Sequence, residues 1–158
     1  MKRLNRLTPY FQHPLIRWAL TLTWTATAAS LMLSPSGEGT TVTWVSKLFG
    51  GTETTDAVGH VIINSILGFL WAWTMSLYTS SANTTRIVLV GGLIWGFTAE
   101  GTQYFVPGRG TSLLDLAANI LGVSVGVSLF RLFIHYAPDI STTRQNPPSA
   151  VDRQSSGR

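Results

Sequence analysis

The feature that most restricts this chain is a long stretch almost empty of charge. Within residues 57–130 the only Asp, Glu, Lys or Arg residues are Arg86, Glu100, Arg109 and Asp115. A water-soluble fold must cover its outside with polar and charged side chains, so a stretch this bare calls for lipid as its solvent. Over the whole chain of 158 residues, charged residues make up 11%, against about 25% in ordinary soluble domains. Cysteine is absent, which excludes a disulfide framework and a thiolate metal site.

Four segments are apolar and long enough for a hydrocarbon core of about 30 Å, which takes about 20 helical residues. They run over about 15–33, 57–78, 87–105 and 113–133. The expected fold is all-α: a polytopic membrane protein, a bundle of four transmembrane helices within residues 15–135. A basic N-terminus over 1–14, a loop over 34–56 and a disordered tail over 136–158 complete it. The first segment carries Thr21, Thr23, Thr25 and Thr27, whose hydroxyls can bond back to the carbonyl one turn earlier. Its apolar run exceeds the 7–15 residues usual in a cleaved signal peptide, so it reads as a signal anchor.

The net charge of +4 gathers at the two ends, in Lys2, Arg3, Arg6 and Arg17 and in Arg131, Arg144, Arg153 and Arg158. No basic stripe lies inside the folded region, which argues against nucleic acid as a partner. With Arg86 between the second and third segments, the positive-inside rule puts both termini in the cytoplasm and 34–56 and 106–112 outside. In the outer loop, Trp44, Val45, Leu48 and Phe49 suit a short interfacial helix, while the alternation Thr41-Val42-Thr43-Trp44-Val45 equally suits an extended piece.

On that topology the polar residues fall into one layer at the outer face. Asp56 and His60 stand at i and i+4, Glu100 and Gln103 at i and i+3, Asp115 and Asn119 at i and i+4, and Arg109 lies in the turn between the last two helices. Each pair shares a helix face. Ionisable groups inside spanning helices cost at least about 2.5–3.5 kcal/mol each, so they pair or line a wet cavity. Local structural roles are available for each. Ser112 and Asp115 have capping-box spacing, Asp56 can cap its helix, His60 can donate to Asp56, and Arg109 can neutralise Glu100 and Asp115. Below the layer, Gly92 with Gly96, and Gly122 with Gly126, form small-xxx-small pairs for helix contact.

The ordered series Asp56-x-x-x-His60, Gly68-Phe69-Leu70, Glu100-x-x-Gln103, Arg109-x-x-Ser112-x-x-Asp115-x-x-x-Asn119-x-x-Gly122-x-x-x-Gly126 resembles the VanZ-like family of bacterial membrane proteins. Leu33-Ser34 agrees with the pattern, and the resemblance runs from about residue 15 to 133. It departs at Ala57, where the family often has Lys, and at Asn64, where it often has Tyr. The resemblance implies a multi-pass protein of the plasma membrane, and the family's namesake is associated with low-level teicoplanin resistance.

The expected function is binding of a lipid headgroup or lipid-linked cell-envelope component in an outer pocket made of Asp56, His60, Glu100, Gln103, Arg109, Ser112, Asp115 and Asn119. Arg109 would contact an anionic group. Two alternatives stay open. One is a membrane-embedded hydrolase or transferase on a lipid-linked substrate, with His60, Glu100 and Asp115 as catalytic candidates. The other is a structural or interaction subunit whose polar layer only fixes the bundle. A metal held by Asp56, His60 and Glu100 is a narrower variant. The main expectation has no metal and no cofactor, with membrane lipids as partners.

Overall fold

The computed structural model describes residues 13–35 and 53–136. Among them are four helices and no strand: α1 Pro14–Met32, α2 Glu53–Met75, α3 Ser81–Gln103 and α4 Leu113–Tyr136. The basic N-terminus, the tail, and the segment around Trp44 to Phe49 lie outside the described residues.

The helix starts have local causes. Pro14 opens α1 with its fixed φ and missing N–H, and His13 Nδ1 accepts from the Leu15 N–H at 3.3 Å. Ser80 caps α3, its Oγ accepting from the Asn83 N–H at 3.5 Å. That cap starts α3 six residues before the expected Ile87, so Asn83-Thr84-Thr85-Arg86 is helical and not loop. Helix α2 likewise begins at Glu53, which puts Asp56 in the fourth position of the helix and not at its cap.

Helices α2 and α4 form the tightest pair, with α1 against α2 and α3 against α4. The close crossing depends on missing side chains. A Cβ on Gly122 would lie 2.6 Å from the Val61 carbonyl oxygen, and one on Gly126 would overlap that of Ser65. Phe69 meets the Phe130 ring edge-on at 6.0 Å beside Ala72, Val123 and Val127.

The distribution of polarity is inverted relative to a water-soluble bundle. Exposed positions include Leu22, Ile62, Val90, Ile94, Phe97 and Leu121, while Arg17, Thr21, His60, Asn64, Glu100 and Asp115 are buried. The stretches Thr54–Met75 and Leu113–Tyr136 are long and apolar enough to cross a membrane. Helices α1 and α3 are less apolar because they carry threonines, and several of these hydroxyls bond back along the helix. Thr25 donates to the Thr21 carbonyl at 2.7 Å, Thr27 to Thr23 at 2.9 Å, and Thr98 to Ile94 at 2.8 Å.

Candidate functional site

The C-terminal ends of α1 and α3 and the N-terminal ends of α2 and α4 meet at one end of the bundle. A helix C-terminus leaves carbonyls without intrahelical donors, and here side chains from the α3–α4 region supply donors to the end of α1. Gln103 Nε2 donates to the Met32 carbonyl at 2.9 Å. Arg109 Nη2 donates to the Leu31 carbonyl at 3.5 Å and Nε to that of Ser34 at 3.3 Å. Its Nη1 pairs with Asp56 Oδ2 at 3.1 Å. The arginine is aimed by a tight turn over Val106-Pro107-Gly108-Arg109, closed by the Arg109 N–H on the Val106 carbonyl at 3.1 Å. Gly108 takes φ 76° there, the left-handed position that such a turn requires after proline.

Glu100 closes the start of α4. Ser112 caps the helix, its Oγ accepting from the N–H groups of Leu114 and Asp115 at 3.2 and 3.3 Å. In a capping box the residue three places on would accept the N–H of the cap. Here Glu100 Oε2 accepts the Ser112 N–H at 3.1 Å instead, reaching over from α3. Asp115 is thereby released from the role its spacing suggests. It is 8% exposed, and its carboxylate has no hydrogen-bond partner among the described residues.

Asn119, fully buried, is the hub. Its Nδ2 donates to Glu100 Oε1 at 3.3 Å, so its Oδ1 faces α2 and accepts from Asn64 Nδ2 at 2.8 Å. His60 Nδ1 lies 2.8 Å from the same oxygen. An amide oxygen only accepts, so Nδ1 carries the proton and, in the neutral ring, Nε2 keeps its lone pair. A ring nitrogen of His60 and carboxylate oxygens of Asp56 and Asp115 lie within 4.8 Å of one another.

All eight residues singled out as the pocket thus sit at one end of the bundle, with partners that differ from the local roles considered. Arg109 pairs with Asp56, not with Glu100 or Asp115, and each of its three nitrogens is already directed at the protein. His60 turns to Asn119, not Asp56. Glu100 is occupied by Ser112 and Asn119, so the histidine and carboxylate cluster includes Asp115 in its place. Among the described side chains, the carboxylates of Asp56, Glu100 and Asp115 and the guanidinium of Arg109 gather at this end.

A family model described as VanZ/LLP1 matches residues 11–134. The chain belongs to the VanZ/LLP1 family. No curated protein and no solved structure matches it. Family membership, the two long apolar helices and the apolar exterior together make it a membrane protein.

Two features of this VanZ/LLP1 chain went unread in the sequence. The first is Asn64, noted there only as a departure from tyrosine. It lies one turn beyond His60 and ties the His60 carbonyl to Asn119, with both bonds at 2.8 Å. Its i+4 spacing from His60 was the available signal. The second is a buried polar cluster at the opposite end. Arg17 is 6% exposed. Its Nη1 donates to the Trp73 carbonyl at 2.7 Å in the last turn of α2, and its guanidinium carbon lies 4.7 Å from the centre of the Trp73 ring. Thr21 and Thr74 hydroxyls pair beside it at 2.8 Å.

Proposed function

We propose that this VanZ/LLP1 protein crosses the plasma membrane four times with both termini cytoplasmic, and that its polar layer binds a lipid at the outer face. The lipid is a membrane lipid or a lipid-linked envelope component. Its headgroup, rich in donors such as an amine or sugar hydroxyls, meets Asp56, His60 and Asp115, and its chain lies in a cleft below.

The observation that carries this reading is the unpartnered Asp115 carboxylate beside His60, close to an apolar cavity. The cavity, of about 220 Å³, is lined by Thr25, Leu67, Trp71, Gly91, Trp95 and Val123 among others. Leu67 is one turn from Asn64 and Trp95 less than two turns from Glu100, so the cavity starts roughly 5–8 Å beneath the polar layer at 1.5 Å per residue. Such a sequence of polar end and apolar trough suits one amphipathic ligand. The buried Trp95 indole N–H finds no acceptor among the described residues, and a lipid ester carbonyl would supply one. An envelope precursor as the occupant would connect the site to teicoplanin-type resistance, the trait that the family resemblance suggests.

Gly91 gives a clean test, because a Cβ there meets nothing within 4 Å. Native mass spectrometry of detergent-purified protein should find lipid on the wild type and much less on Gly91→Phe, which adds a ring to the lining of the cleft at a position with room for its Cβ. Equal lipid retention by wild type, Gly91→Phe and Asp115→Asn would sink the reading. A second reading, hydrolase or transferase action on the same lipid, is favoured by one detail: His60 is held at Nδ1 with Nε2 available as a base. Turnover of a lipid-linked substrate that His60→Gln abolishes, with binding retained, would select it.

A further inference from the structure

We propose that the same three side chains, Asp56, His60 and Asp115, bind one divalent first-row transition metal ion, of the zinc or manganese type, in competition with a headgroup amine and independently of lipid. Imidazole nitrogen combined with carboxylate oxygen spans the preferences of these two ions. Asp56 and His60 present their side chains on one face of α2 at i and i+4, the spacing that lets a single helix offer two ligands to one ion. Asp115 arrives from the first turn of α4. The donor atoms lie within 4.8 Å of one another. A tetrahedral centre with bonds of about 2.0–2.2 Å sets its ligands roughly 3.3–3.6 Å apart, so side-chain rotation closes the widest pair by a little over ~1 Å.

Four further observations favour an ion over a structural role. Asp115 is more than nine-tenths buried, and its carboxylate is unpartnered among the described residues. The two local partners it would otherwise have are both spent elsewhere: Glu100 takes the Ser112 N–H, and Arg109 takes Asp56 and the α1 carbonyls. His60 gives one ring N–H to a fixed acceptor, as metal-ligating histidines do, and its other nitrogen has no hydrogen-bond partner among the described residues. That acceptor, Asn119, is itself anchored on Glu100. Finally, among the described side chains, Asp56, Glu100 and Asp115 against Arg109 leave an excess of two negative charges, which a divalent cation balances. Asp56, whose side chain is 37% exposed and keeps Oδ1 off the Arg109 pair, offers the way in.

The test uses full-length protein in detergent, stripped of lipid, so its outcome is read apart from headgroup binding. Protein purified without chelator should carry close to one zinc or manganese ion per chain by elemental mass spectrometry. After chelation, either zinc or manganese should raise the melting temperature of the wild type. Asp115→Asn and His60→Gln should each weaken ion binding by more than the roughly 10- to 100-fold that loss of an outer partner costs. A His13→Gln, His135→Gln double variant should keep the ion, since neither residue belongs to the cluster. Wild type that neither retains nor responds to zinc or manganese overturns the proposal, whether or not the variants fold. So does ion binding that survives Asp115→Asn and His60→Gln but is lost with His13 and His135.

Discussion

The two ends of the bundle bury ionisable groups to similar depth and treat them oppositely. At the Arg17 end the guanidinium is answered by the protein itself. It donates to a carbonyl in the last turn of α2, where the helix dipole favours a cation, and it stacks on the Trp73 ring. At the other end Arg109 and Glu100 are answered in the same way, while Asp115 and one nitrogen of His60 are not. Burial of a charge inside an apolar bundle therefore does not by itself mark a site. What separates the two ends is whether their buried ionisable groups are all paired. The closed end is architecture, and the open end is where an external partner gains most by binding.

The largest effect should come from the hub that holds the open end in shape. Asn119→Leu keeps the volume but orphans His60 Nδ1 and one oxygen of Glu100 and takes one of two acceptors from Asn64 Nδ2, which keeps the His60 carbonyl. At about 1 kcal/mol for each of the three buried hydrogen bonds lost, the variant should lose about 3 kcal/mol of stability in chemical unfolding from detergent micelles. Next in size is the closed end. Arg17→Met keeps a long apolar stem but removes a charged donor from the Trp73 carbonyl, and should cost about 2 kcal/mol in the same measurement, the usual worth of a hydrogen bond to a charged group. If Arg17→Met were neutral, the closed end would not owe its integrity to that pairing, and the contrast between the ends would weaken.

How much of this was readable from the sequence follows the same division between local and long-range causes. The sparse charge predicted helices, and the i, i+3 and i, i+4 spacings of Asp56 with His60, Glu100 with Gln103 and Asp115 with Asn119 predicted shared faces at one end. Those are properties of a single helix. Partner choice is not. The Ser112–Asp115 spacing suggests a local reciprocal cap, but Glu100 reaches the Ser112 N–H from the preceding helix, a contact fixed only when α3 and α4 pack. Arg17 read as a topology signal because its burial depends on Trp73, 56 positions along the chain. The early start of α3 was hidden because Asn83-Thr84-Thr85-Arg86 has loop composition, although Ser80 caps it as a helix.

The smallest expected effect has the opposite sign, and it separates the two ends most sharply. A largely buried carboxylate that accepts no hydrogen bond carries a desolvation cost. Asp115→Asn keeps the shape and removes the charge, so in chelator the variant should be more stable than wild type by about 1 kcal/mol, the scale on which a buried polar group is left unsatisfied. The same kind of neutralisation at Arg17 goes the other way, because there the protein has already supplied the partners. Adding zinc or manganese should then reverse the order at the open end alone. An ion present at 100 times its dissociation constant stabilises the state that binds it by about 2.7 kcal/mol, which wild type gains and Asp115→Asn does not. Melting curves of the two proteins that cross between chelator and metal would tie the gain to Asp115. Parallel curves, with wild type the more stable in both, would mean that the carboxylate has a partner within the protein and that both ends are closed.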